Sequence, residues 1–250
     1  MLKSRIIPTI LWEGASSIKG ERFNSWRKLG PIIPAVNIYV ARNVDEIILL
    51  NLSPNKHSSD IDYQSIKKIF QSCNVPLTYG GGIRSMKQVE NLLSVGVDKI
   101  SIGTACYNNE KLIREIVLSF GSQFVVSSID YRLKNNKFLC HSSNGTFNEN
   151  ITPYDHSLAM QDLGVGEILL TSCDHDGLMK GYELEVLKKL RKSIKIPIII
   201  SGGAKTLEDF FQGFYCGADA VAASSAFLFS EITPKKIKEY LNNLNICVRL

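Results

Sequence analysis

Two apolar runs of the sequence predict strands, and the residue at the end of each strand could face a site. Only one of these two residues is an acid. The run FVVSSIDYRLKNNK places Asp130 where its predicted strand stops, whereas RIIPTILWEGASSIKG places Leu11 where its strand stops. Two carboxylates that face one pocket suit general acid–base catalysis, because their surroundings can set different pKa values. If both strand ends face one site, Asp130 is a candidate catalytic residue that lacks an acidic partner at position 11.

A second set of residues is suited to binding phosphate. A glycine at the C-terminal end of a strand lets the backbone approach a ligand closely, and the next helix presents free N–H groups to an anion. We call such an arrangement of strand-end glycines and helix N-termini a phosphate cradle. The sequence contains two of them, which predicts a ligand with a phosphate at each end. The alternative is that the glycines only form tight turns. The residues are Gly81, Gly82, Gly103, Thr104, Gly202, Gly203, Ser224 and Ser225, with Gly177 of TSCDHDG beside the second cradle.

The elements that must position these residues alternate along the whole chain. Segments such as SMKQVENLLSVG and TLEDFFQGFYCG carry apolar residues every three or four positions and predict helices. Runs that are apolar on both faces predict parallel strands, and eight such units favour a closed (βα)8 TIM barrel over a doubly wound open sheet. The predicted strands lie near 5–11, 46–52, 76–80, 98–102, 124–129, 167–172, 197–201 and 219–223.

The sequence also contains an internal repeat with a fixed offset. VPLTYGGGIRSMKQVENLLSVGVDKISIGTA aligns without gaps to IPIIISGGAKTLEDFFQGFYCGADAVAASSA, so that Gly81 matches Gly202 and Asp98 matches Asp219, each 121 residues later. The same offset aligns DEIILLNL with GEILLTSC. We therefore predict a single barrel domain over residues 1–250 that is built from two duplicated half-barrels, approximately 1–122 and 123–250.

Composition argues against several other classes of protein. The net charge of +5 is mild, and the basic cluster KKLRKSIK has helical spacing, which is typical of a solvated helix face rather than a nucleic-acid surface. The six cysteines form no C-x-x-C pair and no His/Asp/Glu set has ligand spacing, so neither a metal nor a cofactor is expected. No apolar stretch approaches the roughly 20 residues that span a bilayer, so we expect a cytoplasmic protein without a membrane partner.

Seven motifs together resemble one known family across essentially the whole chain. They are RIIP, LTYGGGIRS, DKISIGTA, FGSQ, GEILLTSCDHDG, SGGA and GADAVAASS. The chain is similar to the cyclase subunit, of HisF type, of imidazole glycerol phosphate synthase. The resemblance implies a barrel that receives ammonia from a glutaminase subunit, in a heterodimer, at its N-terminal face. The ammonia then reaches a bis-phosphorylated ribulose-linked substrate at the opposite rim, which is cleaved and cyclised to imidazole glycerol phosphate and an aminoimidazole carboxamide ribotide.

The resemblance also implies roles for charged side chains at both ends of the barrel. A ring of charges gates the bottom of the barrel in this family, and its members match Arg5, Glu46, Lys99 and Glu167 here. Two acids and two bases that face inward can neutralise one another, whereas each alone would be costly to bury. Ordinary ion pairs at the rim are the alternative. At the other end, Lys19 matches a position in the substrate loop.

The chain departs from the family where protons are transferred. The family uses aspartates at the ends of strands one and five, and this sequence has Leu11 and Asp130. Asp176 of the D-x-D-G loop is a second candidate catalytic residue. Glu13 is a candidate substitute for the missing acid, because alternation along a strand returns its side chain to the face of Leu11.

This pattern resembles a divergent second branch of the family. Members of that branch accompany a glutaminase and a separate amidating enzyme in making modified surface sugars. We therefore expect an ammonia-delivering subunit with little cyclase activity of its own. The alternatives are an authentic cyclase of histidine biosynthesis, which is a lyase, and a lone phosphosugar isomerase.

Overall fold

The strands of the barrel are short segments rich in β-branched and aliphatic residues. The computed structural model describes residues 3–53 and 61–249, and in these ranges twelve strands form one sheet. In chain order they are β1 (Arg5–Glu13), β2 (Ser16–Glu21), β3 (Asn24–Pro31), β4 (Ile47–Asn51), β5 (Leu77–Gly80), β6 (Lys99–Ile102), β7 (Val125–Lys134), β8 (Lys137–Ser142), β9 (Phe147–Asn148), β10 (Glu167–Ser172), β11 (Ile198–Ser201) and β12 (Ala220–Ala223).

Eight of these strands close into a parallel cylinder. Around the cylinder the order is β1, β4, β5, β6, β7, β10, β11 and β12, and β12 pairs in parallel with β1 to complete the circle. The predicted (βα)8 TIM barrel is confirmed. The doubly wound open sheet is wrong, because an open sheet would leave two unpaired edges where β1 and β12 meet.

Helices pack on the outside of the barrel and begin at recognisable capping residues. The Ser85 hydroxyl accepts a hydrogen bond from the Gln88 amide, and the Thr206 hydroxyl accepts one from the Asp209 amide. These caps begin the helices predicted from SMKQVENLLSVG and TLEDFFQGFYCG. The helices of the described residues are α1 (Ile32–Ala41), α2 (Tyr63–Gln71), α3 (Met86–Ser94), α4 (Ala105–Asn108), α5 (Glu110–Phe120), α6 (Pro153–Asp162), α7 (Leu184–Arg191), α8 (Leu207–Tyr215), α9 (Ser225–Phe229) and α10 (Pro234–Asn243).

Matching contacts recur at the offset of the sequence repeat. The carboxylate of Asp98 accepts a hydrogen bond of 2.8 Å from the Leu77 amide, at the start of β5. The carboxylate of Asp219 accepts one of 2.9 Å from the Ile198 amide, at the start of β11. These two contacts anchor equivalent strands in the same way, and they support the predicted duplication of a half-barrel, which stays a prediction.

Two additions to the barrel were not expected from the sequence. The segment after β1, which contains the substrate-loop position Lys19, forms the antiparallel hairpin of β2 and β3, with Leu11 opposite Ile18. Burial of Ile18 and Lys19 explains why this polar-looking segment is ordered. The strand that carries Asp130 runs on as far as Lys134 and turns back into β8, which adds a second hairpin above the barrel.

The inside of the barrel is layered from its N-terminal to its C-terminal end. Arg5, Lys99 and Glu167 are the first residues of β1, β6 and β10, and Glu46 immediately precedes β4. Above these charges lies an apolar layer, and a larger apolar core separates the barrel from its helices. None of the helices in the described residues is long and apolar enough to cross a membrane. The apolar layer consists of Ile7, Ile48, Val126, Leu169, Ile199, Ala220 and Ala222.

Candidate functional site

A cavity of about 700 Å³ lies at the C-terminal ends of the barrel strands. Loops that follow parallel strands meet at this rim, so residues distant in sequence line one space. The structure brings together here every residue predicted to bind phosphate and the two candidate catalytic residues, Asp130 and Asp176. The lining includes Leu11, Lys19, Gly81, Gly82, Gly103, Thr104, Asp130, Asp176, Gly177, Gly202, Gly203, Ser224 and Ser225.

The glycine pairs are at positions where a side chain would collide with the backbone. A Cβ atom on Gly81 would lie 2.1 Å from the carbonyl oxygen of Asn51. A Cβ atom on Gly203 would lie 2.2 Å from the carbonyl oxygen of Gly181, and Gly203 also has a φ of +109°. At these two positions only glycine allows the loop to pack against its neighbour. The tight turns that were the alternative interpretation are therefore present, and they also leave the backbone facing the cavity.

Unpaired donors face the space between these loops. The backbone amides of Gly82, Gly203, Thr104 and Ser224 donate to no acceptor in the described part of the chain. The hydroxyl of Ser225 is buried and also has no partner there. Orphaned donors at strand ends and helix starts suit an oxyanion, which is the kind of ligand that the sequence predicts here.

Asp130 projects into the cavity from β7 and is half-buried. Burial raises the pKa of this carboxyl from 3.8 to about 7, the nearby Asp176 carboxylate adds to the rise, and the Arg132 guanidinium opposes it. A carboxyl group that titrates near neutral pH is able both to donate and to accept a proton, which is what acid–base chemistry requires.

Asp176 is not free for the same role, because it is bound by Lys19. The Lys19 ammonium contacts both carboxylate oxygens of Asp176, at 2.9 and 3.1 Å, and Lys19 is 2% exposed. The Arg22 amide also donates to the Asp176 carbonyl. These contacts fasten the β2–β3 hairpin over the mouth of the cavity, so the pair positions the hairpin and places a negative charge near Asp130.

The wall of the cavity below the β2–β3 hairpin carries Leu11 at the position where the resemblance implies an acid. Leu11 is buried there and lies beside Leu50, its neighbour on β4. Glu13 is not among the residues that line the cavity in the described ranges, so the structure does not place it as a substitute. Asn51, also in the lining, donates a hydrogen bond of 3.3 Å to the Tyr79 hydroxyl.

The four charges at the N-terminal end form a closed, alternating ring. Arg5 contacts Glu46 at 2.8 Å and also bonds to Glu167. Lys99 contacts each of the same two carboxylates at 3.0 Å. Burial alone would lower the pKa of Arg5, but the hydrogen bonds and charges of Glu167 and Glu46 outweigh it and raise that pKa. Each charge in the ring therefore has two partners of opposite sign.

Sequence reasoning missed contacts that depend on the two hairpins. Arg132 donates to the Asp174 carboxylate at 3.0 Å and to the Arg22 carbonyl at 3.0 Å, so it ties the loop after β10 to the β2–β3 hairpin. His141 lines the cavity, although the sequence places no other candidate near it. The missed signal is the two-residue turn Asn135-Asn136, whose positive φ angles of 49° and 59° are those of a tight hairpin.

One histidine next to the site, His175, is not part of the cavity lining. His175, next to Asp176, bonds through Nδ1 to the Gly181 carbonyl oxygen. His57 lies outside the described residues. Within the described ranges no three His, Cys, Asp or Glu side chains are grouped to hold a metal ion.

The full sequence is similar to known proteins of one family. Residues 5–233 match the model of a family described as "Histidine biosynthesis protein". A Campylobacter jejuni protein named "Putative imidazole glycerol phosphate synthase subunit hisF2" is 40% identical over 250 residues, which cover all of both chains. Proteins named "Imidazole glycerol phosphate synthase subunit HisF" from Chlorobium limicola and Chlorobaculum parvum are 36% and 38% identical, again over the whole of both chains.

Proposed function

This chain belongs to the histidine biosynthesis protein family, as a member of HisF type, and from that membership we propose that it is an ammonia-receiving synthase subunit. In this proposal a glutaminase partner releases ammonia at the N-terminal end of the barrel, and the ammonia meets a phosphorylated ligand in the cavity at the other end. The observation that carries the proposal is the arrangement along one axis of a closed charged ring and a cavity with two anion cradles.

The ring of Arg5, Glu46, Lys99 and Glu167 suits the entrance for a small neutral molecule. Its charges are mutually paired, so they close the end of the barrel without leaving an uncompensated charge inside. The apolar layer above the ring offers nothing to hold an ion. Ammonia can pass through such a layer at lower cost than ammonium, because an ion would lose its hydration there.

The cradles support a ligand with phosphate at both ends. Orphaned amides occur at the Gly81-Gly82 and Gly103-Thr104 strand ends on one side, and at Gly202-Gly203 and Ser224-Ser225 on the other. Strand positions β5 and β6 lie opposite β11 and β12 in the circular order. Two anion sites that face each other across one cavity suit a molecule with two phosphates rather than one.

The residues available for proton transfer support a low rate of cyclase chemistry. Asp130 is present and titrates near neutral pH, but the opposite side of the pocket offers Leu11 and Leu50. Loss of one acid–base partner typically lowers a rate by about 10² to 10⁴. We propose that the chain is a divergent paralogue, and that its ammonia serves sugar modification together with a separate amidating enzyme.

The test combines the purified chain with the glutaminase subunit of imidazole glycerol phosphate synthase from the same organism and with the bis-phosphorylated ribulose-linked substrate of that synthase. We expect a complex on gel filtration and substrate binding by calorimetry, but no cleavage of the substrate when ammonium chloride replaces glutamine. Failure to form a complex under any ligand condition would favour a lone isomerase.

Authentic cyclase activity is the second candidate, because a carboxyl of suitable pKa and both cradles share the cavity. It predicts cleavage of the same substrate with ammonium chloride, abolished by Asp130→Asn. It also predicts that Leu11→Asp changes the rate only slightly, since another group already transfers the proton. If the first proposal is correct, Leu11→Asp introduces cleavage activity that the native chain lacks.

A further inference from the structure

The cavity contains few groups that can exchange a proton. Its ionisable side chains in the described residues are Lys19, Arg84, Asp130, His141 and Asp176. Lys19 and Asp176 are bound to each other, and arginine does not release its proton in proteins. Two groups therefore remain for proton transfer, the Asp130 carboxyl and the His141 imidazole.

These two groups lie side by side on one hairpin. In the antiparallel pairing of β7 with β8, Asp130 is directly opposite His141. Residues in such a pair project from the same face of the sheet, with Cβ atoms roughly 4.5–5.5 Å apart. Both side chains line the cavity, so each can reach a ligand from the same wall.

The imidazole of His141 is held in an orientation that leaves one nitrogen available. Its Nδ1 lies 3.1 Å from the carbonyl oxygen of Leu139. A carbonyl oxygen only accepts hydrogen bonds, so Nδ1 carries the hydrogen and Nε2 of the neutral ring carries the lone pair. Nε2 has no hydrogen-bond partner in the described residues and is not among the enclosed polar atoms that lack one, so some of its surface is accessible, on a side chain that lines the cavity.

We propose that His141 is the proton acceptor that works with Asp130 when ammonia adds to a carbonyl group of the bound ligand. The inference rests on the proposed function, since that function supplies both the ammonia and the phosphorylated ligand. It gives this chain a second proton-transfer group on the Asp130 side of the pocket, in place of an acid at position 11.

The proposed step is balanced within the cavity. The lone pair of ammonia forms the C–N bond, and the π electrons of the carbonyl move to its oxygen, which takes the proton of the Asp130 carboxyl. Nε2 of His141 takes one proton from the new nitrogen substituent, which leaves a neutral carbinolamine. Return of that proton from His141 to the Asp130 carboxylate, across the strand pair, restores both groups for the next addition.

The experiment measures the first C–N bond rather than the complete reaction. Excess protein is mixed with the bis-phosphorylated ribulose-linked substrate and ammonium chloride, and the imine that forms from the carbinolamine is reduced with cyanoborohydride. Mass spectrometry then follows the resulting amine. We expect adduct formation faster than in solution for the native chain, and a rate constant lower by about 10² to 10⁴ for His141→Asn. The dissociation constant for the substrate should change less than threefold.

The matched control is His175→Asn. His175 has the same kind of bond, from Nδ1 to the Gly181 carbonyl at 2.9 Å, but it is not in the cavity lining. At either position the side-chain amide of asparagine can still donate to the backbone carbonyl oxygen, but the residue has no counterpart of Nε2. The control variant should form the adduct at the native rate.

The possible outcomes separate the two proposals. If the native chain binds the substrate without accelerating adduct formation, or if His141→Asn keeps the native rate, the inference is overturned and the proposed function stands. If the substrate does not bind, the proposed function is refuted and the inference with it.

A measurement without turnover tests the same geometry. Diethyl pyrocarbonate modifies neutral imidazoles that solvent can reach, and peptide mapping identifies them. Both side chains are largely buried. We expect His141 to be modified in the folded protein and His156 to be spared, since only the Nε2 atom of His156 is enclosed. An unreactive His141 would contradict the open Nε2 on which the proposal depends.

Discussion

The raised pKa of Asp130 predicts a pH-dependent change in stability that Asp130→Asn should remove. The folded protein holds the Asp130 proton more tightly than the unfolded chain does, because burial and Asp176 disfavour the charged form. The folded state therefore loses stability as the pH rises through the window between 3.8 and about 7. Asparagine does not titrate, so the variant lacks this loss.

The expected size of the effect comes from the width of that window. When the pH is raised from 5 to 8, the free energy of unfolding falls mainly between pH 5 and about pH 7. Each of these roughly two pH units lowers it by about 1.36 kcal/mol. The full effect would be about 2.7 kcal/mol. Because Asp130 is only half-buried and faces an open cavity, water relieves part of the penalty, and we expect about 1.5 kcal/mol.

The assay is urea unfolding of the native chain and the variant at both pH values. The free energy of unfolding of Asp130→Asn, relative to the native chain, should increase by about 1.5 kcal/mol from pH 5 to pH 8. Ser128→Ala is the matched control, because Ser128 lines the same cavity from the same strand and has no charge. Its relative stability should be equal at both pH values. An equal value for Asp130→Asn as well would refute the assigned environment of this carboxyl.

Three further predictions address the cradle, the hairpin and the core. Gly203→Ala should lose about 1–3 kcal/mol and weaken the binding of inorganic phosphate in calorimetry, whereas Gly103→Ala, whose Cβ would meet nothing closer than 3.8 Å, should keep the native stability. Lys19→Met should cost up to about 3 kcal/mol in urea unfolding, because it leaves the Asp176 carboxylate without its cation. Burial lowers the pKa of His156 from 6.5 to about 4, so the native chain should lose about 3 kcal/mol as the pH falls across that window, and thermal melts of His156→Phe should not show this loss.

The barrel could be predicted from the sequence because its strands are apolar on both faces. That pattern is local, and it placed the starts of the eight strands within one residue, as at β10 and β12. The ends of strands then located Asp130 and the glycine pairs, since side chains at those ends must face the same rim. These predictions required only the order of the elements and the direction of the strands.

The hairpins and their contacts could not be predicted in the same way. The segment around Lys19 is polar, and its strand structure depends on pairing with β1 and on a contact with Asp176, 157 residues away. His141 has no neighbouring candidate residue in the sequence, and its position opposite Asp130 depends on the register that the Asn135-Asn136 turn fixes. Periodicity does not report such long-range partners, whereas turn chemistry would have indicated the second hairpin.

Arg132 connects the strand that carries Asp130 to the segments that cover the mouth of the cavity. This side chain extends from the strand that carries Asp130, two residues further on, and its guanidinium is fastened to the β2–β3 hairpin and to the loop after β10. A ligand that lifts the hairpin therefore pulls on the strand that holds the acid. The position of the hairpin and the alignment of that carboxyl are thus linked through one side chain.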